Sequence, residues 1–238
     1  MLCDLLRINR EDMKKEKNYS RRTERDYGFL RSLFYMTFVV LVVIPVAKLM
    51  YNFKIEGREN LPKKSRLIFA GNHVSYLDPP LIALAAFRNI AYMAKQELFI
   101  DENSLLRFLV HILGAFAVNR EKPEIATFKT VKSVFNTSWS LGIFPQGRII
   151  KEPVIENVHK GFILFAKKFQ ADIIPVGVCG FDGYAKKLFE KNMSVKIGKP
   201  ISYELEEDEI VQEWARQVSE MTGFENRLVL EDKVMTQT

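Results

Sequence analysis

Along the body of this 238-residue chain, apolar runs of four to six residues alternate with longer stretches of helical periodicity. The runs are Arg66–Gly71, Ala115–Val118, Leu141–Phe144, Ile173–Val178 and Ser194–Gly198. Runs this short, bounded by Gly, Asn and Pro, read as buried strands. Between them, Pro123 opens a helix with Ile125, Phe128, Val131 and Val134/Phe135 on one face, and Gly161 to Phe169 reads as another. Near the end Ile210, Trp214, Val218 and Met221 recur at helical spacing, with Gly223 as a stop. Strands alternating with helices predict an α/β fold, a largely parallel sheet flanked by helices.

A second constraint comes from Ser32 to Ala47, sixteen residues without a charge. As a helix this run is about 24 Å long, short of the roughly 30 Å hydrocarbon core of a bilayer, and Arg31 and Lys48 can extend it by snorkelling. A run apolar on every face is hard to keep as a buried core helix and predicts contact with lipid. Seven Lys/Arg fall in the twenty residues before the run and six in the twenty after, so the charge bias that orients a span is missing. Pro45 sits where it would kink the helix. The expectation is an N-terminal helical membrane anchor that dips into one leaflet. Both flanks would then lie on the cytoplasmic face, held to membrane lipid by their cations, which makes the protein monotopic. The charged leader is too long and too acidic for a secretory signal, and no small-residue cleavage site follows.

Cys3 and Cys179 make no disulfide framework, so a reducing compartment is expected. His73, His111 and His159 lack paired ligand spacing, and no metal site is expected. The net charge of +6 and pI near 9.2 call for an anionic partner. With no zinc finger, RNP signature or recognition helix beside the charge, phosphate-bearing substrate or anionic lipid is expected, and no nucleic acid.

Polar residues cluster just past the carboxyl ends of three runs: His73 and Asp78, then Arg120, then Gln146, Gly147 and Arg148. That edge is where open α/β sheets bind ligands. The first cluster, Asn72-His73-Val74-Ser75-Tyr76-Leu77-Asp78-Pro79, sets an imidazole and a carboxylate five residues apart. A histidine that takes a proton from an alcohol needs one ring nitrogen free and the other held by an acceptor. The acceptor fixes the tautomer and steadies the imidazolium as it forms. His73 and Asp78 meet that need if the residues between them loop back. The alternative is that Asp78 caps the helix opened by Pro79 and His73 lies on the surface. Ser75 has no Gly-x-Ser-x-Gly turn around it, which argues against a serine hydrolase.

With these segments set out, the chain resembles the 1-acylglycerol-3-phosphate O-acyltransferase family of glycerolipid acyltransferases. Asn72-His73-x4-Asp78-Pro79 matches the family's His-x4-Asp block, and Gly114-Ala-Phe-Ala-Val-Asn119-Arg120 is similar to its second. Phe144-Pro145-Gln146-Gly147-Arg148 resembles its Phe-Pro-Glu-Gly-Thr-Arg block, and Ile174-Pro175-Val176 its Val-Pro-Val block. The approach Glu56-Gly57-Arg58-Glu59-Asn60-Leu61-Pro62 also has a family look. The resemblance implies transfer of an acyl chain from a thioester, of acyl carrier protein or coenzyme A, to the hydroxyl of lysophosphatidic acid, giving phosphatidic acid. His73 would be the base, Asp78 its orienting partner, and Arg120 the phosphate clamp. The thioester is a co-substrate, and no cofactor is implied. Glycerol-3-phosphate or another lysophospholipid are alternative acceptors, and a non-catalytic membrane-binding member of the fold, or a lipid hydrolase, are rival readings.

The third block departs from the family: its glutamate is Gln146 here, and its arginine arrives one residue early as Arg148. Glutamine can still hydrogen-bond a glycerol hydroxyl through its carbonyl oxygen, and Arg148 is expected as a second phosphate contact. The alternative has Arg148 facing solvent and only Gly147 serving, through its backbone freedom. Lys160 is expected to be solvated and His111 structural. The chain divides into a charged tail (1–27), a hydrophobic membrane anchor (28–52), a catalytic domain (53–205) and a C-terminal helix and tail (206–238).

Overall fold

The computed structural model describes residues 19–63, 66–100, 104–118, 125–180 and 193–228. Arg120 and Pro123 lie outside the described residues. The chain forms strands β1 (Lys54–Glu56), β2 (Leu67–Gly71), β3 (Ile90–Lys95), β4 (Phe116–Val118), β5 (Ser140–Ile143), β7 (Asp172–Cys179) and β8 (Ser194–Ile197). They make one seven-stranded sheet in the order β1-β8-β7-β2-β5-β3-β4. Only β7 and β8 pair antiparallel within it. β6 (Val154–Ile155) and β9 (Glu225–Asn226) form a separate parallel ribbon. The expected α/β architecture is the observed one. β2 lies between β7 and β5 and is buried along its whole length, as a strand covered on both faces must be, hence its unbroken apolar run.

β3 has no counterpart among the expected strands. Its sequence, Ile-Ala-Tyr-Met-Ala-Lys, is rich in helix formers. Pairing between β5 and β4 overrides that preference. Because the flanking strands are parallel, the carboxyl ends of β2, β5 and β3 open on one edge of the sheet.

The helices of the body are α3 (Asp78–Ala86), α4 (Glu97–Ile100), α5 (Ser104–Ile112), α6 (Ile125–Phe135), α7 (Gly161–Phe169) and α8 (Glu207–Thr222). α8 buries Ile210, Trp214 and Val218 in the same core as the sheet, and the Trp214 indole donates to the Ala70 carbonyl of β2 at 2.9 Å. Gly223, at φ 75°, ends the helix as expected. On α6 the expected face needs correction. Ile125 is 75% exposed, and Thr127, Thr130, Val131, Val134 and Phe135 are buried. Thr130 can face inward because its hydroxyl is satisfied, accepting from the Arg22 amide at 3.0 Å and donating to the Ser20 carbonyl at 2.8 Å.

The N-terminal helix runs as α1 (Phe29–Phe38), a π-helical stretch (Val39–Val43) and α2 (Ile44–Tyr51). Pro45 has no amide hydrogen to give, and the ladder adjusts just before it: the Ile44 amide bonds the Val39 carbonyl five residues back. From Phe29 to Tyr51 the helix is about 35 Å long, longer than the uncharged run alone. Among the described residues, Glu24–Leu49 is the one helical segment long and apolar enough to cross a membrane. It is only partly covered by the domain. Tyr35, Val39, Val43 and Ala47, one every fourth residue, are buried against the domain, while Leu30, Leu33, Leu41 and Leu49 are exposed. An aromatic cluster seats its beginning: Tyr27 and Tyr35 each lie 5.1 Å from the Trp139 ring, whose indole donates to Ser32 Oγ at 2.7 Å.

Candidate active site

Just past the carboxyl end of β2, Asn72 is fully buried and its carboxamide acts as one more rung of the ladder with β7. Its Oδ1 accepts from the Val178 amide at 2.7 Å and its Nδ2 donates to the Val178 carbonyl at 3.0 Å. The next residue is thereby delivered at a set position, and its own carbonyl is held by the Ile150 amide at 2.8 Å. That residue is His73. The chain then folds back tightly. Asp78 Oδ2 accepts from the amides of Val74 (2.7 Å) and Ser75 (2.8 Å), and His73 Nδ1 lies 2.8 Å from the same oxygen. The capping alternative for Asp78 does not hold. Its carboxylate points away from the helix, toward the loop before it, and Pro79 and Pro80 offer no amide in the first turn to cap.

Asp78 is entirely buried. Burial pushes its carboxyl above the usual range, and the hydrogen bond and charge of His73 and the amides of Ser75 and Val74 oppose the rise without cancelling it. An ionised Asp78 demands a proton on His73 Nδ1, which leaves Nε2 as the basic nitrogen. The plane of the imidazole is fixed separately. It stacks on Phe144 at 3.9 Å and 11°, and Phe144 stacks on Tyr92 of β3 at 5.5 Å. Two independent constraints, one on the tautomer and one on the ring plane, hold the imidazole where it lines a cavity of about 770 Å³.

That cavity lies between the N-terminal helix and the domain. Phe38, Val42 and Val46 line one side, Leu98, Phe108 and Leu113 another, and Phe162 and Phe165 of α7 a third. Its titratable nitrogen groups are His73, Lys95 at the carboxyl end of β3, and His159 with Lys160 before α7, and Tyr76, Tyr92 and Thr127 bring hydroxyl-bearing side chains. Lys95 escaped the sequence reading because β3 did. Lys160, expected to be solvated, pairs with Asp208 at 2.5 Å and still lines the cavity. His111 sits away from it in an aromatic group with Tyr19 and Phe99, and burial and the nearby arginines 22, 31 and 107 lower its basicity.

The third block lies past the carboxyl end of β5, but its side chains do not all turn to the cavity. Gly147 does line it, at φ 68°, with its amide on the Phe144 carbonyl at 2.8 Å. Only glycine takes that turn without strain. Gln146 is buried and faces the other way, donating to the carbonyls of Val154 (3.1 Å) and Glu156 (3.4 Å). Its carbonyl oxygen, the atom expected to meet a substrate hydroxyl, is buried and has no partner among the described residues. Arg148 is 62% exposed, does not line the cavity, and pairs with Glu156 at 3.1 Å. This is the placement of the solvent-facing alternative, with Glu156, on the loop after β6, as the partner of Arg148. The first clamp, Arg120, is outside the described residues. Tyr92, Phe144 as a stacking platform, and Asn72 as a ladder mimic were all missed by spacing rules, since each depends on strands meeting.

A buried carboxylate thus orients a histidine that lines an apolar cavity on the carboxyl edge of an α/β sheet. The sequence model of the Acyltransferase family matches residues 52–179, and the chain belongs to that family. Its sequence is similar to 1-acyl-sn-glycerol-3-phosphate acyltransferases of Bacillus subtilis, 31% identical over 150 residues (62% of this chain, 73% of the relative), and of Borreliella burgdorferi, 29% identical over 147 residues (60% and 58%). The fold is similar to the crystal structure of the 1-acyl-sn-glycerophosphate acyltransferase PlsC of Thermotoga maritima, with TM-score 0.62 and 21% identity over 78% of this chain and 76% of that one. Acyl transfer to a glycerolipid acceptor is the activity that membership supports.

Proposed function

We propose that the protein transfers an acyl chain from a thioester of acyl carrier protein or coenzyme A to the free hydroxyl of 1-acylglycerol-3-phosphate, forming phosphatidic acid. One observation carries the reading: His73 Nδ1 is held by Asp78 at 2.8 Å while the ring borders a large apolar cavity. His73 Nε2 takes the hydroxyl proton as the oxygen attacks the thioester carbonyl. The tetrahedral adduct collapses, the carbon–sulfur bond breaks, and the thiolate receives the proton from the imidazolium. Base catalysis of this kind contributes about 10²- to 10⁴-fold, and Asp78 steadies the imidazolium between the two proton transfers. Arg120 would meet the phosphate, with Lys95 and Lys160, which line the cavity, as further cations. The acyl chains lie along the apolar walls.

In this reading residues 28–52 are the membrane anchor, 53–205 the catalytic domain and 206–238 a C-terminal addition. The protein is monotopic on the cytoplasmic face, where the thioester donors are found. The test is acyl transfer to labelled lysophosphatidic acid with each thioester in turn, for wild type and His73→Ala, counting phosphatidic acid and free fatty acid. Phosphatidic acid lost in the variant supports the reading. Fatty acid released without a thioester would instead mean a hydrolase, and equal product from both proteins would remove His73 as the base.

A further inference from the structure

Asp78 uses only half of its carboxylate in the dyad. Oδ2 takes all three donors, from His73, Val74 and Ser75, while Oδ1 is buried and has no partner among the described residues. Four other buried side-chain polar atoms among the described residues are in the same position, Arg22 Nε, Asn89 Oδ1, Gln146 Oε1 and the Tyr92 hydroxyl, and of these residues only Tyr92 lines the cavity. The Tyr92 hydroxyl is buried without a partner, on a ring that lines the cavity and closes the stack through Phe144 to His73. Asp78 Oδ1 is an acceptor and the Tyr92 hydroxyl a donor, and each costs stability while unpaired. The ring is held in place by what lies beneath it. β3 and β5 pair Tyr92 with Gly142, and a Cβ on Gly142 would come within 2.5 Å of the Tyr92 Cδ1.

We propose that Tyr92 is a positioning residue of the dyad, its hydroxyl reaching Asp78 Oδ1 through one bound water. The inference rests on the reading of His73 and Asp78 as the base and its partner. Two further facts agree with it. Burial holds the Tyr92 phenol well above its ordinary acidity range, so it stays a donor, and the charge of Asp78 already bears on it. The titratable groups acting on the pair are His73 beside Asp78 and Tyr35, from α1, beside Tyr92. Tyr35 has its own acceptor, the Ile90 carbonyl at 3.4 Å. Completing the carboxylate keeps Asp78 ionised despite its burial, and so keeps the Nδ1–H tautomer of His73 populated.

The experiment is a ¹³C-carboxyl titration of Asp78 in the full chain in detergent, its resonance assigned by loss in Asp78→Asn. Wild type, Tyr92→Phe and Tyr35→Phe are compared. Tyr92→Phe keeps the ring and the stack, and is expected to raise the Asp78 pKa by about one unit. Tyr35→Phe should leave it unmoved. An unmoved carboxyl in Tyr92→Phe, or an equal rise in both variants, overturns the proposal. In the transfer assay Tyr92→Phe should lower kcat/KM about tenfold, the size of one hydrogen bond to a charged group, and move the acid limb of its pH profile upward. In an Asp78→Asn background it should cost nothing more, and an additive loss would mean that Tyr92 acts by packing alone. If wild type makes no phosphatidic acid the acyl-transfer reading fails, and the carboxyl titration still decides the role of Tyr92.

Discussion

Replacing Gln146 by glutamate restores the residue of the family's third block, and the structure says this chain will not tolerate it well. The Gln146 amide nitrogen donates to two backbone carbonyls, Val154 at 3.1 Å and Glu156 at 3.4 Å, from a side chain only 4% exposed. A carboxylate there would set negative oxygen against both carbonyls. The introduced carboxyl escapes by holding its proton, and the cost is then set by linkage. Keeping a carboxyl of ordinary pKa near 4.3 neutral at pH 7.5 costs 1.36 kcal/mol per unit, about 4 kcal/mol. The neutral acid recovers one of the two hydrogen bonds and forfeits the other, about 0.5–1.5 kcal/mol more. Since about 1 kcal/mol moves Tm by 2–4 °C in a chain of this size, Gln146→Glu should melt roughly 10–20 °C lower at pH 7.5.

The sign of the pH dependence makes the test specific. A folded-state pKa raised above the unfolded value gives a penalty that is absent below the unfolded pKa and grows as pH rises to the folded one. Thermal unfolding of both proteins across pH 5 to 8 should therefore show the gap narrow toward pH 5. A variant as stable as wild type at pH 7.5, with higher turnover on lysophosphatidic acid, would refute the reasoning. It would mean that the side chain at 146 faces substrate.

Two further outcomes follow from the dyad and its support. Asp78→Asn should lower transfer by about 10²- to 10⁴-fold. Because burial raises the Asp78 pKa, wild-type stability should fall as pH rises from the ordinary carboxylate range through the raised value; melting curves of the two proteins should converge in acid and favour the asparagine variant at neutral pH. Gly142→Ala should destabilise by about 1–3 kcal/mol through overpacking, since the added carbon meets Tyr92 and Ile90. Its activity should fall further than its stability, as a displaced Tyr92 pushes the stack against His73; equal loss of both in denaturation and transfer assays would disconnect the stack from catalysis.

What could be read from the chain and what could not divides along a physical line. β2, β5 and β7 announce themselves because strands buried on both faces need unbroken apolar runs, and the loops past β2 and β5 were legible as a polar edge for the same reason. The meeting of His73 and Asp78 was legible because it is local, a loop of five residues. β3 was not legible: Ala, Met and Lys hide a strand whose pairing comes from elsewhere, and Tyr92 and Lys95 vanished with it. The orientation of Gln146 depends on β6 and the loop after it, eight to ten residues away. The partner of Arg148 is Glu156 on that same loop. No spacing rule carries such information.

The N-terminal helix has the sequence of an anchor, yet its geometry also makes it a wall of the cavity that His73 lines. Phe38, Val42 and Val46 face the cavity, and Tyr35, Val39 and Val43 are buried against the domain. Burying those last three is worth about 1.5–3 kcal/mol each, roughly 5–9 kcal/mol together as an upper estimate, a large share of the 5–15 kcal/mol by which domains are typically stable. Cutting the chain before residue 53 should therefore do more than release it from lipid. The truncated protein should melt far below the full chain. It should also fail to transfer acyl groups to a short-chain, water-soluble acceptor that needs no membrane. A pure anchor predicts the reverse, a truncated enzyme that works normally on soluble substrate and loses only its vesicle binding. Wild-type turnover by the truncated chain on that acceptor would show that the helix is no wall of the site.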